Sequence, residues 1–384
     1  MSTKNTKSPS KKATRKATRK VTRKVTGKKP SAPSVAKGSK SSYAKAGVDV
    51  ALGNRVKSGI GALVRPTHGA EVLGGIGGFG GLFRPDFKKR GIKDPVLVSS
   101  VDGVGTKLKI AFATDKHDTI GADLVNHCVN DIAVTGAMPL FFLDYIAAAK
   151  LDPRVLKEII TGLSRACKES GCALIGGETA QMPGLYGEGE YDLAGSITGI
   201  VDRKDLLDGS RVKPGDALVG LPSNGLHTNG YSLARKVLFD LLGLKLSDRP
   251  AGLGTTVGAE LLKVHRSYLP AFRKLHAMRG KPLHAAAHIT GGGLIDNLPR
   301  ILPKGCDAVI DPGSWKVPAI FGIIGRGGNV DPLEMYQVFN MGIGMVLVVP
   351  GKEGEKVAKT LGGKVIGGVV KGSGIVRFFP EPGN

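Results

Sequence analysis

An aspartate, two glycines and a lysine fall together in the run Asp102-Gly103-Val104-Gly105-Thr106-Lys107, directly behind the apolar stretch at 96–101. Glycines let a backbone close on phosphate oxygens, a lysine adds a point charge, and oxygen ligands suit Mg2+. A polyphosphate with its divalent cation is the chemistry such a kit serves. Further along, Asp123, His127, Asn130 and Asp131 are spaced i, i+4, i+7 and i+8. At about 100° per residue they share one narrow helical face. Ile120, Leu124, Val125, Cys128 and Ile132 fill the neighbouring arc, which predicts a helix packed on a sheet. A polar stripe of this kind is equally a solvated face, and both readings stand at this level. Gly136 and Pro139 end the helix and lead into an apolar strand at 140–143.

The elements needed to hold these groups follow a strand–helix alternation. Residues 49–63 have the pattern of a first helix, followed by a glycine-rich loop at 74–81. Gly75, Gly77 and Gly80 satisfy GxGxxG formally, but no buried strand precedes them and Arg84-Pro85 interrupts any following helix. A dinucleotide fingerprint is therefore rejected; a flexible loop over a nucleotide, or a set of tight turns, remains. Asp152-Pro153 predicts the N-cap and first position of a helix with Leu156, Ile160, Leu163 and Cys167 on one face, stopped by Gly171. Residues 172–175 read as a short strand opening onto Gly176-Gly177-Glu178, and 192–201 as another. Charged and turn residues at 202–213 mark a boundary. Beyond it come a strand at 216–221, a polar loop through Asn229 and a helix from Tyr231. Residues 285–289 run into Thr290-Gly291-Gly292-Gly293 and a helix, a strand–turn–helix arrangement suited to anions. A late strand at 342–349 and a short helix at 353–361 complete an α/β (α+β) class chain.

DGVGTK, GADLV, CVND and LFFLDY, in that order, resemble the aminoimidazole ribonucleotide synthetases (phosphoribosylformylglycinamidine cyclo-ligases). SYAKAGVD at 42–49, GGIGGFGG at 74–81, GGETAQMPG at 176–184, NGLHTNGYSL at 224–233, HITGGG at 288–293 and MYQVFNMGIGM at 335–345 extend the resemblance over essentially everything after residue 41. It implies an ATP-binding domain at 43–206 and a C-terminal domain at 207–384, with the N-terminal sheets of two subunits joined in a dimer barrel. It also implies ATP-dependent ring closure of formylglycinamidine ribonucleotide, through phosphorylation of its formamide oxygen, with Mg2+ as cofactor.

The resemblance carries roles onto matching positions. Asp102, Asp123 and Asp131 are the implied metal ligands. Gly78, Gly80, Asp102, Gly103, Gly105, Thr106, Lys107 and Asp123 would bind ATP, and Lys107, Glu178 and His227 would be catalytic. Asn229, His288, Thr290, Gly291, Gly292 and Gly293 would hold the substrate, the three glycines its 5′-phosphate. Selenophosphate synthetases, the nearest alternative, would carry a reactive cysteine in the N-terminal glycine-rich region, whereas no cysteine here precedes Cys128.

The net charge of +23 is unevenly spread. Residues 1–42 hold 14 Lys/Arg and no Asp/Glu, and repeat ATRK, ATRK, VTRK, VTGK at 13–28. Like-charge repulsion and scarce large apolar groups predict a disordered Lys/Arg/Thr-rich tail, either without a dedicated partner or in contact with nucleic acid or another polyanion. A nucleic-acid binder using a degenerate enzyme core as scaffold is the rival function; the intact Asp102, Lys107, Asp131 and Glu178 speak against it. No apolar run approaches membrane-spanning length. The four cysteines include no CxxC pair, which with the missing apolar leader predicts reduced thiols and a cytoplasmic enzyme.

Overall fold

The computed structural model describes residues 59–382. The basic tail, the 42–49 motif and most of the helix expected at 49–63 lie outside them; 59–64 is helical. A two-stranded hairpin, β1 (Val72–Leu73) and β2 (Leu82–Phe83), brackets the glycine-rich loop. Next come β3 (Pro95–Gly103), α1 (Leu108–Thr114), α2 (Ile120–Ala133), β4 (Met138–Ala148), α3 (Pro153–Ser170), β5 (Ala173–Gln181) and β6 (Tyr191–Asp202). The four longer strands form one sheet in the order β3-β6-β4-β5, antiparallel except for the parallel β4–β5 pair.

Helices α2 and α3 cover one face of that sheet. Leu124, Val125, Cys128 and Ile132 of α2 are fully buried with Phe142, Ile146 and Ile197 of the strands. Each large apolar side chain so buried stabilises the fold by about 1.5–3 kcal/mol. The two helices approach closely because both are bare at the crossing. A Cβ on Gly121 would lie 2.2 Å from the Ile159 carbonyl oxygen, and one on Gly162 2.7 Å from that of Asp118. Asp152 caps α3 by accepting from the N–H groups of Arg154 and Val155, and Gly171 ends it at φ 65°.

The second sheet contains β7 (Asp216–Pro222), β8 (Ala285–His288), β9 (Cys306–Ile310), β10 (Ile343–Pro350), β11 (Lys364–Lys371) and β12 (Val376–Phe378). Their order is β12-β9-β11-β7-β10-β8, antiparallel except for β12–β9. Strands β7 and β10 are almost wholly buried. Helix α4 (Tyr231–Arg235) follows the β7 loop, α5 (Gly293–Asn297) follows β8, and α6 (Gly354–Leu361) follows β10. All four cysteines are free and buried. Among the described residues no helix is long and apolar enough to cross a membrane.

Candidate functional site

The polar face of α2 is not solvated. Asp123 and Asn130 are fully buried and His127 is 3% exposed; Asp131 alone, near the helix end, keeps a side chain 27% open to solvent. The C-terminal half supplies what covers them. His265 donates its backbone N–H to Asp123 Oδ1 at 2.7 Å. Asn130 accepts from the Tyr268 N–H at 2.8 Å and donates to the Arg266 carbonyl at 2.9 Å. Asn126 donates to the carbonyl of His265 at 2.7 Å.

At the open end, Asp102 from the tip of β3 and Asp131 converge on one imidazole. His127 Nε2 lies 2.7 Å from Asp102 Oδ2 and 3.7 Å from Asp131 Oδ2. Asp131 Oδ1 accepts from His288 Nδ1 at 2.8 Å, and His288 ends β8. Burial disfavours charge on His127, yet its bond to Asp102 and the nearby Asp131 carboxylate raise its pKa overall. Burial likewise works against an ionised Asp131, but His288 and His127 carry its pKa below the ordinary carboxylate value. Two partly open carboxylates beside one imidazole are an oxygen donor set that fits Mg2+, which keeps several waters and takes one or two carboxylates.

Lys107 and Asp123 differ from the sequence-based expectation. Lys107 is completely buried rather than a surface lysine. Its ammonium donates to Asp123 Oδ1 at 2.8 Å, to the His227 carbonyl at 3.2 Å and to that of Lys263 at 2.6 Å. Three oxygens use all three donors. Burial pulls both members of the pair toward neutrality and their mutual attraction opposes it; at 2.8 Å with no solvent on either side, the ion pair holds. Asp123 is thereby withdrawn from the open carboxylates, with Oδ2 left unpartnered.

The remaining candidates divide. Gly103 donates its N–H to Asp102 Oδ1 at 2.7 Å; Gly105, at φ 65°, and Thr106 are exposed beside it. His227 is buried and left-handed at φ 66°, and neither ring nitrogen finds a partner. Asn229 meets the glycine loop, its Nδ2 lying 3.5 Å from where a Gly291 Cβ would stand. The loop's glycines answer to packing as well. A Cβ on Gly293 would fall 2.0 Å from the Tyr336 carbonyl oxygen, and Asn297 Nδ2 bonds the carbonyls of Gly291 and Gly293. Thr290 Oγ1 donates to Asn297 Oδ1 at 3.5 Å, and Gly292 takes φ 95°. The helix after the loop, α5, has five residues.

Glu178 stands apart. Strand β5 continues past the end expected at residue 175, so Glu178 sits within it opposite Tyr145, exposed, accepting from the Thr179 N–H. Gly78 and Gly80 lie exposed in the hairpin loop. His265 had no signal in the sequence, because it sits in a loop without periodicity; Thr228 lies within the 224–233 motif, between His227 and Asn229, and was not singled out. A cleft of about 350 Å3 lined by residues such as Phe112, His117, Arg154 and Tyr191 shares no lining residue with this cluster.

Residues 91–201 match the "AIR synthase related protein, N-terminal domain" and residues 213–379 the "AIR synthase related protein, C-terminal domain". A phosphoribosylformylglycinamidine cyclo-ligase of Citrifermentans bemidjiense is 54% identical over 340 residues, 87% of this chain and 97% of that relative. The thiamine-monophosphate kinase of Stenotrophomonas maltophilia superimposes with a TM-score of 0.60 at 19% identity, covering 87% of this chain and 98% of that one. The hydrogenase maturation protein HypE in complex with ATP does so at 0.60 and 18%, covering 85% and 91%. At such identities these two structures establish the shared fold.

Proposed function

We infer that this chain, which belongs to the AIR synthase related family, is an ATP-dependent phosphoribosylformylglycinamidine cyclo-ligase of purine biosynthesis. The observation that carries this is the convergence of Asp102 and Asp131 on His127, in a chain 54% identical over 340 residues to a relative of that name. The substrate is formylglycinamidine ribonucleotide and the product 5-aminoimidazole ribonucleotide, with ADP and phosphate. ATP supplies the phosphoryl group that turns the formamide oxygen into a leaving group, after which the amidine nitrogen closes the ring.

Catalysis of this kind rests on positioning and charge stabilisation. Asp102 and Asp131 would hold Mg2+. Gly105 and Thr106 lie exposed beside them, where the loop would meet phosphate oxygens. Lys107 acts from behind, as a buried clamp tying the β3 loop to α2 and to the backbones of His227 and Lys263. Asn229 and Gly291 offer the substrate a shared rim, and Asp131 fixes the ring of His288 nearby. Glu178, Gly78 and Gly80 would have to join from elements that lie apart from this cluster.

The chain works as a homodimer in this reading, with 43–206 and 207–384 as its two synthetase domains. The face of the first sheet away from α2 exposes Leu97 (62%) and Val101 (71%), with Tyr145 at 38%. A second copy of that sheet would bury them as a closed barrel, and Val101→Glu would yield monomers by light scattering. We place the enzyme in the cytoplasm, consistent with four free thiols. The basic segment 1–42 is suited to a polyanion; unchanged retention on heparin at low salt after its deletion would remove that idea.

Turnover of the purified protein with formylglycinamidine ribonucleotide, ATP and Mg2+ tests the main reading. Equal yields of ADP and aminoimidazole product, lost in Asp131→Asn, support it. ADP without imidazole would assign a sister reaction, and neither product would overturn the reading.

A further inference from the structure

A circuit of hydrogen bonds leaves α2 at Asn130, crosses two loops of the C-terminal half and returns to α2 at His127. Its donors can be assigned from the backbone outward. Asn130 is fixed in orientation, because its oxygen accepts from the Tyr268 N–H at 2.8 Å and its nitrogen donates to the Arg266 carbonyl at 2.9 Å. The second amide hydrogen points at His265 Nε2, 3.2 Å away, so that nitrogen accepts. His288 Nε2 meets the same nitrogen at 3.0 Å, and the Asn130 hydrogen bars a proton on the His265 side of that contact. His265 therefore carries its proton on Nδ1.

From there each group has one choice left. His265 Nδ1–H donates to Thr228 Oγ1 at 3.3 Å, which engages the hydroxyl as acceptor and leaves its own hydrogen for His127 Nδ1 at 2.7 Å. Thr228 and His127 are both buried. An imidazole that accepts at Nδ1 holds its hydrogen at Nε2. That hydrogen meets Asp102 Oδ2 at 2.7 Å, while Asp102 Oδ1 accepts from the Gly103 N–H, also at 2.7 Å. Were the hydrogen on Nδ1 instead, the Nε2 lone pair would face a carboxylate oxygen at 2.7 Å and repel it.

We propose that Thr228 is a positioning residue for the metal-side carboxylate: its hydroxyl fixes the proton of His127 on Nε2, and that proton holds Asp102 in place. The proposal rests on the cyclo-ligase reading, in which Asp102 is a Mg2+ ligand. Groups that orient a metal ligand in this way typically matter by about 10- to 100-fold in metal affinity or activity. The circuit also lets the C-terminal half set a ligand borne on the first sheet, since Asp102 stands at the tip of β3 and Thr228 in the loop before α4. Asn229, the expected substrate contact, is its chain neighbour, so one loop serves both substrate and carboxylate.

Two measurements on the untagged full chain test this role. The first takes protein with 15N-labelled histidine, without Mg2+ or nucleotide, and reads from two-bond 1H–15N spectra which nitrogen of His127 bears the proton; the signal is assigned through its own backbone. Wild type and Thr228→Ser should show the hydrogen on Nε2 alone. Thr228→Val, which keeps the shape and drops the hydroxyl, should lose that single form. The second follows turnover against Mg2+ concentration. Thr228→Val should raise the half-saturating Mg2+ about tenfold with kcat at saturating Mg2+ little changed, whereas Thr228→Ser should match wild type. Circular dichroism checks that the variants fold. A proton on His127 Nδ1 in wild type overturns the proposal, as does a folded Thr228→Val that keeps either the Nε2 form or the wild-type Mg2+ midpoint, or a Thr228→Ser that behaves as the valine variant does. The proton is read without turnover, so a chain that makes no aminoimidazole would sink the cyclo-ligase reading while the first measurement still decides what Thr228 does to His127.

Discussion

Two polar clusters in this molecule are built from the same materials to opposite ends. On the second sheet, Asp307 is buried and completely satisfied. Its Oδ1 accepts from the N–H groups of Ser373, Gly374 and Ile375 at 2.6, 2.9 and 3.0 Å, and its Oδ2 from Arg377 Nε at 2.8 Å. Those backbone bonds hold its pKa down at about 2. Between the two sheets, by contrast, the histidine cluster leaves His227 and Asp123 with unpartnered atoms. Buried polar groups are nearly always paired. The Asp307 site spends its whole bonding capacity on shape, whereas the histidine cluster keeps some in reserve for something that binds.

The sharpest way to break this contrast is at its boundary, the Lys107–Asp123 pair. Lys107→Met strands a buried carboxylate and should cost about 3–5 kcal/mol in denaturant unfolding; a near-neutral result would mean that the pair is not a clamp. Asp131→Asn should lower kcat by about 100- to 1,000-fold, as lost transition-state stabilisation does, with a small change in Tm because its side chain is partly open.

Acid stability separates the clusters next. Burial, with the charges of neighbouring histidines and Lys107, holds the pKa of His227 and His265 well below the ordinary value, and the same burial lowers His288. The unfolded chain takes up protons near pH 6.5 that these rings refuse, so stability falls as pH drops through that value. His127 has the opposite sign: its raised pKa gives stability present below pH 6.5 and lost as pH rises through the folded value. Three against one, the net slope is acid-labile. His265→Asn should flatten it by up to about 1.4 kcal/mol per pH unit, read from urea melts between pH 5 and 8, with Asp131, Arg266 and Lys107 left in place. The smallest expected effect is Asp307→Asn: a lower Tm with unchanged turnover and an unchanged acid slope.

What the sequence made legible follows from where the forces are local. The α2 face was readable because acids and apolar residues keep the helical period, and Asp152 and Gly171 mark α3 through cap chemistry. Whether that face met solvent was not readable, because its cover comes from residues 135 to 142 positions away in sequence, as in Asn130 to His265 and His265 to Asp123. Glu178 was read as lying beyond a strand end at residue 175, whereas parallel pairing with β4 carries β5 through Gly176 and Gly177, a tertiary effect that overrides two glycines. The depth of Lys107 had no sequence signal either. Burying a lysine requires three acceptors, and two of these are carbonyls on loops.

The four buried thiols give the molecule its own clock. Cys128, Cys167 and Cys172 sit under the first sheet and Cys306 starts β9 of the second. A thiol reagent reaches a buried sulfur only when its surroundings open. Mass spectrometry of the labelled peptides would therefore time the breathing of each half separately, and a bound ligand that seals the two together would slow both hands at once.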